Sequence, residues 1–189
     1  EAIASEVERT PLLRRLLDTV RVHSGAQRVT VVDRSTEGWQ VAASLGNDAF
    51  AVHSVRLESA EAARCVPRRL VRMVLRSQRS VRIADARHDP ALTNDPYVQA
   101  AGVRALMCVP LRGQGQLQGA LVLEHLATPD AFRASHAAVL EHLSSQMAIA
   151  LANASLFAEV TAARQGLEDR VAARTQELRA ALERLETAQ

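Results

Sequence analysis

The chain has 189 residues, 48% of them hydrophobic, with 23 basic and 21 acidic residues and a formal net charge of +2. That is enough apolar material for one well-filled core, with no uninterrupted apolar run of membrane-spanning length and no charged-then-apolar leader. The basic residues are all arginine, spread through every segment, and aromatics make up only 3%, so neither the clustered basic face nor the stacking aromatics of a nucleic-acid reader is present.

In chain order, Thr10-Pro11 reads as an N-cap followed by proline at the first helical position. Leu12, Leu13, Leu16, Leu17 and Val20 then recur at helical spacing until Ser24-Gly25. Residues 28–33 are rich in β-branched side chains, 35–38 are turn chemistry and 39–45 alternate, which predicts a hairpin. Pro67 opens a helix carrying Leu70, Val71, Val74 and Leu75, and a short strand is expected over 80–84. A long loop with Asp89-Pro90, Asn94, Asp95-Pro96 and Gly102 follows. Two apolar strands, 105–111 and 117–126, are joined by a glycine-containing turn. Hairpins imply an antiparallel sheet, so the fold class is α+β. The terminal helices are expected on one face, with the middle helix and the loop 87–102 roofing the other.

From Ala131 onward there is no proline and a single glycine, Gly166. Val160, Arg164, Leu167, Val171, Arg174, Leu178, Ala181 and Leu185 are spaced alternately four and three, the seam of a left-handed coiled coil. A helix of about 55 residues would be roughly 80 Å long at 1.5 Å per residue, more than a domain of this size can cover. A parallel homodimer is therefore expected, with residues 1–158 as the globular domain and 159–189 as a helix leading to a missing output domain. Because the first residue is Glu1, the chain is expected to be a fragment of a longer protein.

Residues 104–111, Arg-Ala-Leu-Met-Cys-Val-Pro-Leu, a glycine-containing turn and 119–124, Gly-Ala-Leu-Val-Leu-Glu, resemble the "SxLCxPL…G…GVLxLE" core of GAF domains. Phe132, Arg133, Leu140, Leu143, Gln146, Ala148, Ile149, Ala150, Leu151, Asn153, Ala154 and Phe157 resemble the closing helix of that family. Asp95-Pro96-Tyr97 is similar to a "DPY" that several GAF-bearing histidine kinases carry. Residues 167–178 resemble the "LExRVxxRTxEL" connector before the phosphoacceptor helices of bacterial histidine kinases, a connector found also before diguanylate cyclase domains. The resemblance implies a sheet of five or six antiparallel strands, dimerisation through the terminal helices and, in many members, a small-molecule or chromophore pocket. It does not by itself imply a ligand.

No nucleophile with a base, metal set or phosphate cradle emerges. Gly113-x-Gly115-x-x-x-Gly119 lies between two strands and lacks the helix terminus that binds pyrophosphate. His136 and His142 point to different helix faces, and His125 has no HExxH frame. Cys65 and Cys108 form no CxxC pair, which suggests a reducing, cytoplasmic setting with neither disulfide nor zinc. Neither cysteine is followed by histidine, which argues against bilin attachment as in phytochrome-type relatives. The "NKxxxFxxxDE" signature of cyclic-nucleotide members is missing over 124–136. If there is a pocket, its lining is expected from the loop, where His88, Asp89, Thr93, Asn94, Asp95 and Tyr97 cluster, together with Cys108 or Met107 on the strand below. The reading is a sensor domain, without catalysis of its own, from a cytoplasmic signalling protein, a histidine kinase by preference. It would contact no nucleic acid and no membrane through these residues. The alternatives are a ligand-free dimerisation scaffold, the sensor of a diguanylate cyclase, or an enzyme like the free methionine sulfoxide reductases.

Overall fold

The computed structural model describes residues 2–46, 49–113, 115–132 and 134–186, with side chains over 9–46, 49–113, 115–132 and 139–178. The elements are α1 (Ala2–Ser24), β1 (Arg28–Ser35), β2 (Gly38–Gly46), β3 (Ala49–Arg56), a 3₁₀ turn (Glu61–Arg64), α2 (Arg68–Ser77), β4 (Val81–Ile83), α3 (Pro96–Ala101), β5 (Ala105–Gly113), β6 (Gln116–His125) and α4 (Ala134–Glu186). The six strands form one antiparallel sheet in the order β3-β2-β1-β6-β5-β4.

Alternation along the strands splits the core into two apolar clusters. Val29, Val31, Met107, Val109, Leu121 and Leu123 face the terminal helices, meeting Leu13, Leu17 and Val20 of α1 and Leu140, Met147, Ala148 and Leu151 of α4. On the opposite face Val32, Leu106, Cys108, Ala120 and Val122 lie under Leu70, Val71, Val74 and Leu75 of α2 and under Leu92, Tyr97 and Val98 of the roof. Leu106 and Cys108 therefore share the roofed face, a choice that strand parity alone leaves open.

Two glycines set how closely the layers approach. Gly119 pairs with Asp33 across β1 and β6, and a Cβ built there would overlap the Val32 carbonyl oxygen while lying 3.0 Å from the Asp33 Cα. At the end of β5, a Cβ on Gly113 would lie 3.1 Å from the Ala148 carbonyl carbon, so bare backbone is what seats α4 on the sheet.

The expected elements are all present, and three features differ. Helix α1 starts at Ala2 and carries Pro11 inside it, where the sequence places the start at Thr10-Pro11. An interior proline removes one helical hydrogen bond and costs about 3 kcal/mol. The Ala, Glu and Arg residues before it are good helix formers, and Arg9, two residues earlier, ion-pairs with the buried Asp33. Strand β3 was not expected: its alanines and mostly exposed side chains leave no clear alternation. The long loop contains the short helix α3. Arg133, Gln114 and the side chain of His136 lie outside the described residues, as do the side chains of Ala181 and Leu185.

Helix α4 is continuous over 53 residues. Val160, Leu167, Val171 and Leu178 on its distal half are 56–66% exposed. Arg164 and Arg174 pair within their own helix, with Glu168 at 2.8 Å and Glu177 at 2.7 Å. The stretch Val139–Leu178 is long and apolar enough, by length and composition alone, to cross a bilayer, but its first part buries Leu140, Met147, Ala148 and Leu151 against the sheet.

Candidate functional site

The polar centre of the roofed face lies at one end of the sheet. Arg28 stands opposite Glu124 across β1 and β6, and Leu106 flanks Glu124 on β5. Position 124 shares its face with Ala120 and Val122, so the pleat carries its carboxylate into the interior, where it is fully buried.

Helix α3 supplies the lid. Asp95 caps it, its Oδ1 accepting from the backbone N–H of Tyr97 at 2.9 Å and of Val98 at 3.4 Å. Pro96 takes the first helical position, and Gly102 ends the helix at φ +67°. So fixed, Tyr97 and Val98 point down onto the sheet and are buried. The Tyr97 hydroxyl lies 2.7 and 2.9 Å from the two carboxylate oxygens of Glu124. Arg28 Nη1 donates to the Tyr97 hydroxyl at 2.9 Å and to Glu124 Oε2 at 3.2 Å. Gln27 ties the same corner down, its N–H donating to the Glu124 carbonyl at 2.9 Å and its Oε1 accepting from the Leu126 N–H at 2.6 Å.

Burial pushes the Glu124 carboxyl up to about 7, against the pull of Tyr97 and Arg28. Burial also raises the Tyr97 phenol, and the neighbouring Glu124 raises it further. For Arg28, burial opposes the charge, but Tyr97 and Glu124 hold its pKa above the ordinary value. Further along the same face, Ser44 Oγ and His53 Nε2 are 2.7 Å apart. Burial lowers the His53 pKa, with Glu61 acting the other way. Thr30 Oγ1 is buried without a hydrogen-bond partner among the described residues.

The four ligand-contact candidates have separate fates. Tyr97 is at the centre of the cluster. Asp95 positions it as the helix cap. Cys108 lies on the same face but is sealed in the apolar layer, where burial raises its thiol pKa. His88 is on the outside, 81% exposed, with Nδ1 3.0 Å from Asp85 Oδ2. Of the other loop residues, Asp89 accepts from the Ala91 N–H at 2.9 Å and Thr93 Oγ1 donates to the Arg87 carbonyl at 2.9 Å, so these stabilise the loop itself. Sequence reasoning missed Arg28, Thr30, Ser44, His53 and Glu124. One signal was available: Glu124 ends the apolar run 119–124 in phase with Ala120 and Val122, the pattern of a charge carried inward.

Two open grooves of about 420 Å³ each lie elsewhere. One is lined by Pro11, Arg14, Arg15, Asp18, Arg21 and Leu45, the other by Trp39, Leu57, Glu58, Arg72, Leu75 and Arg76. No group of three or more His, Cys, Asp or Glu able to hold a metal occurs among the described residues.

The GAF domain family model matches residues 8–151. A curated relative, the peroxide stress-activated histidine kinase mak3 of Schizosaccharomyces pombe, is 26% identical over 161 residues; the match covers 85% of this chain and 7% of that protein. The chain thus spans a small fraction of the relative's length. Among solved structures, a GAF domain/HD domain protein from Geobacter sulfurreducens superposes with a TM-score of 0.57 at 15% identity, covering 78% of this chain and 94% of that one. A domain assigned to a two-component sensor histidine kinase protein from Sinorhizobium meliloti gives 0.54 at 13% identity, covering 82% and 96%. Likeness at these identities speaks to the fold. The six-stranded antiparallel sheet with terminal helices on one face and a roof on the other, together with the family match over most of its length, makes this chain a member of the GAF domain family.

Proposed function

We propose that this chain is the sensor module of a cytoplasmic histidine kinase, working as a parallel homodimer that passes a small-molecule or conformational signal along α4 to an output domain. The observation that carries this reading is the continuity of α4. One helix begins packed on the sheet through Leu140, Met147, Ala148 and Leu151 and ends in an exposed apolar seam through Val160, Leu167, Val171 and Leu178. Apolar side chains repeating every three and four residues on a solvent-exposed helix are buried by a partner helix. The kinase assignment leans on the connector-like residues 167–178 and on the histidine kinase relative. Ligand contact is assigned to Tyr97, held by its Asp95 cap, at the buried end of the roof.

A second reading, a ligand-free dimerisation scaffold, is favoured by the filling of the space between roof and sheet with apolar side chains. An enzyme of the sulfoxide-reductase kind fits poorly, because the Cys108 thiol is sealed in the apolar layer and the Cys65 thiol, beside the 3₁₀ turn, donates to the Glu61 carbonyl. The test is sedimentation equilibrium at tens of micromolar. The whole chain should be a dimer that weakens when residues after Phe157 are removed, and a monomer at that concentration would exclude the reading. Small molecules released from the purified dimer on denaturation and seen by mass spectrometry would favour sensor over scaffold.

A further inference from the structure

We propose that Glu124, Tyr97 and Arg28 form a proton-operated latch between roof and sheet, closed while the Glu124 carboxyl is protonated and loosened when that proton passes to solvent. Its use as an input rests on the sensor reading above; the latch itself does not. Among the described residues, the side-chain hydrogen bonds tying α3 to the sheet all run through the Tyr97 hydroxyl, to Glu124 and Arg28. The remaining polar bonds of the roof are mostly internal to it, such as Gln99 Nε2 to the Thr93 carbonyl and Arg87 Nη2 to the Gly102 carbonyl. Apart from the apolar contacts of Leu92, Tyr97 and Val98, the lid is therefore hydrogen-bonded to the sheet by side chains at one point, onto a carboxyl group with no exposed surface.

The surroundings of Glu124 decide the direction. From β1 it faces Arg28, whose side chain is 30% exposed and reaches it with one nitrogen at 3.2 Å. From α3 it faces the Tyr97 hydroxyl. Strand β5 offers Leu106 directly opposite and the sealed Cys108 thiol further along, and α2 presents only apolar side chains to this face. The nearby charges are engaged elsewhere: Asp85 with Arg104 and His88, and the His125 ring with the Thr128 N–H. An ionised Glu124 thus has one hydroxyl and part of one guanidinium to replace its water shell, which does not offset burial. Lifting α3 would hydrate the carboxylate and return it to its ordinary value of 4.5 from about 7. A group whose pKa is raised in the closed form favours that form most fully at low pH. Opening should then increase by up to about tenfold per pH unit between roughly 4.5 and 7 and level off above.

The experiment is amide hydrogen exchange of residues 97–103 in the whole chain, corrected for the intrinsic rate, between about pH 5 and 8. The expected result is opening that rises with pH to a plateau near neutrality in the native chain and stays flat in Glu124→Gln. Equal slopes in the two proteins, or no slope in the native chain, would overturn the latch. Should Glu124→Gln not fold, a carbon NMR titration of the native Glu124 carboxyl decides: a midpoint near 7 supports the latch and an ordinary value overturns it. Sedimentation of the same samples tests the dimer separately, so a failed latch and a failed sensor reading are distinguishable.

Discussion

At the residue scale, the absence of a side chain at Gly119 matters as much as any side chain present. The two central strands meet so closely there that even a methyl group would overlap the Val32 carbonyl, and backbone at the middle of a paired strand has little room to yield. Gly119→Ala is expected to destabilise the domain by about 3 kcal/mol or more, in the range of severe core disruptions, read as a fall in the urea midpoint. A change within about half a kcal/mol would mean that β1 and β6 can separate cheaply. Asp33, paired with Gly119 in that ladder, is the other buried carboxylate among the described residues of the sheet. Burial raises its pKa while Arg9 and Gln40 oppose the rise, so it is served by one guanidinium and one amide, where Glu124 has one guanidinium and one hydroxyl.

At the element scale, α4 is the part of the fold most fully legible from sequence and the roof the least. The helix announces itself through its length without proline and its seam of Val160, Leu167, Val171 and Leu178, because a period of three and four survives any tertiary context. Strands β1, β2, β5 and β6 were legible for a similar reason, β-branched and apolar runs bounded by turn residues. Strand β3 was not, since at a sheet edge its side chains face solvent and carry little pattern. The candidate site was legible only at Tyr97 and its cap Asp95. Arg28, Ser44 and Glu124 gain their meaning from pairing across strands, which spacing along the chain does not reveal. The glycine within α4 gives a test of the helix itself. A Cβ on Gly166 meets no atom within 4 Å, so Gly166→Ala should stabilise the helix by about 1 kcal/mol through backbone entropy, seen as higher helicity and melting temperature. A loss of stability would indicate that close approach of a partner at this position requires glycine.

At the scale of the whole molecule, the arginines in the seam set how firmly two copies would hold together. Arg164 and Arg174 are 77% exposed and paired within their own helix. In a parallel dimer each would be brought toward its own counterpart and part of its hydration lost. Such polar seam positions lower stability and leave a coil able to change rotational register. Replacing both with leucine should raise the melting temperature of the dimer by several degrees and, in a parent kinase, fix the output whatever the input. A double variant that is more stable but whose output still responds normally would make the seam a spacer and not a switch.

The bare contact of Gly113 with the backbone at Ala148 gives α4 the mechanics of a lever. The helix has no room to move closer to the sheet at that point, so the displacements left to it are tilts and rotations about the contact. From Ala148 to the last described residue, Glu186, the outer arm is about 55 Å long at 1.5 Å per residue. A tilt of only about 2° at the sheet would then carry its tip through roughly 2 Å. Movements at the domain too small to disturb its packing would arrive at the far end of the helix enlarged.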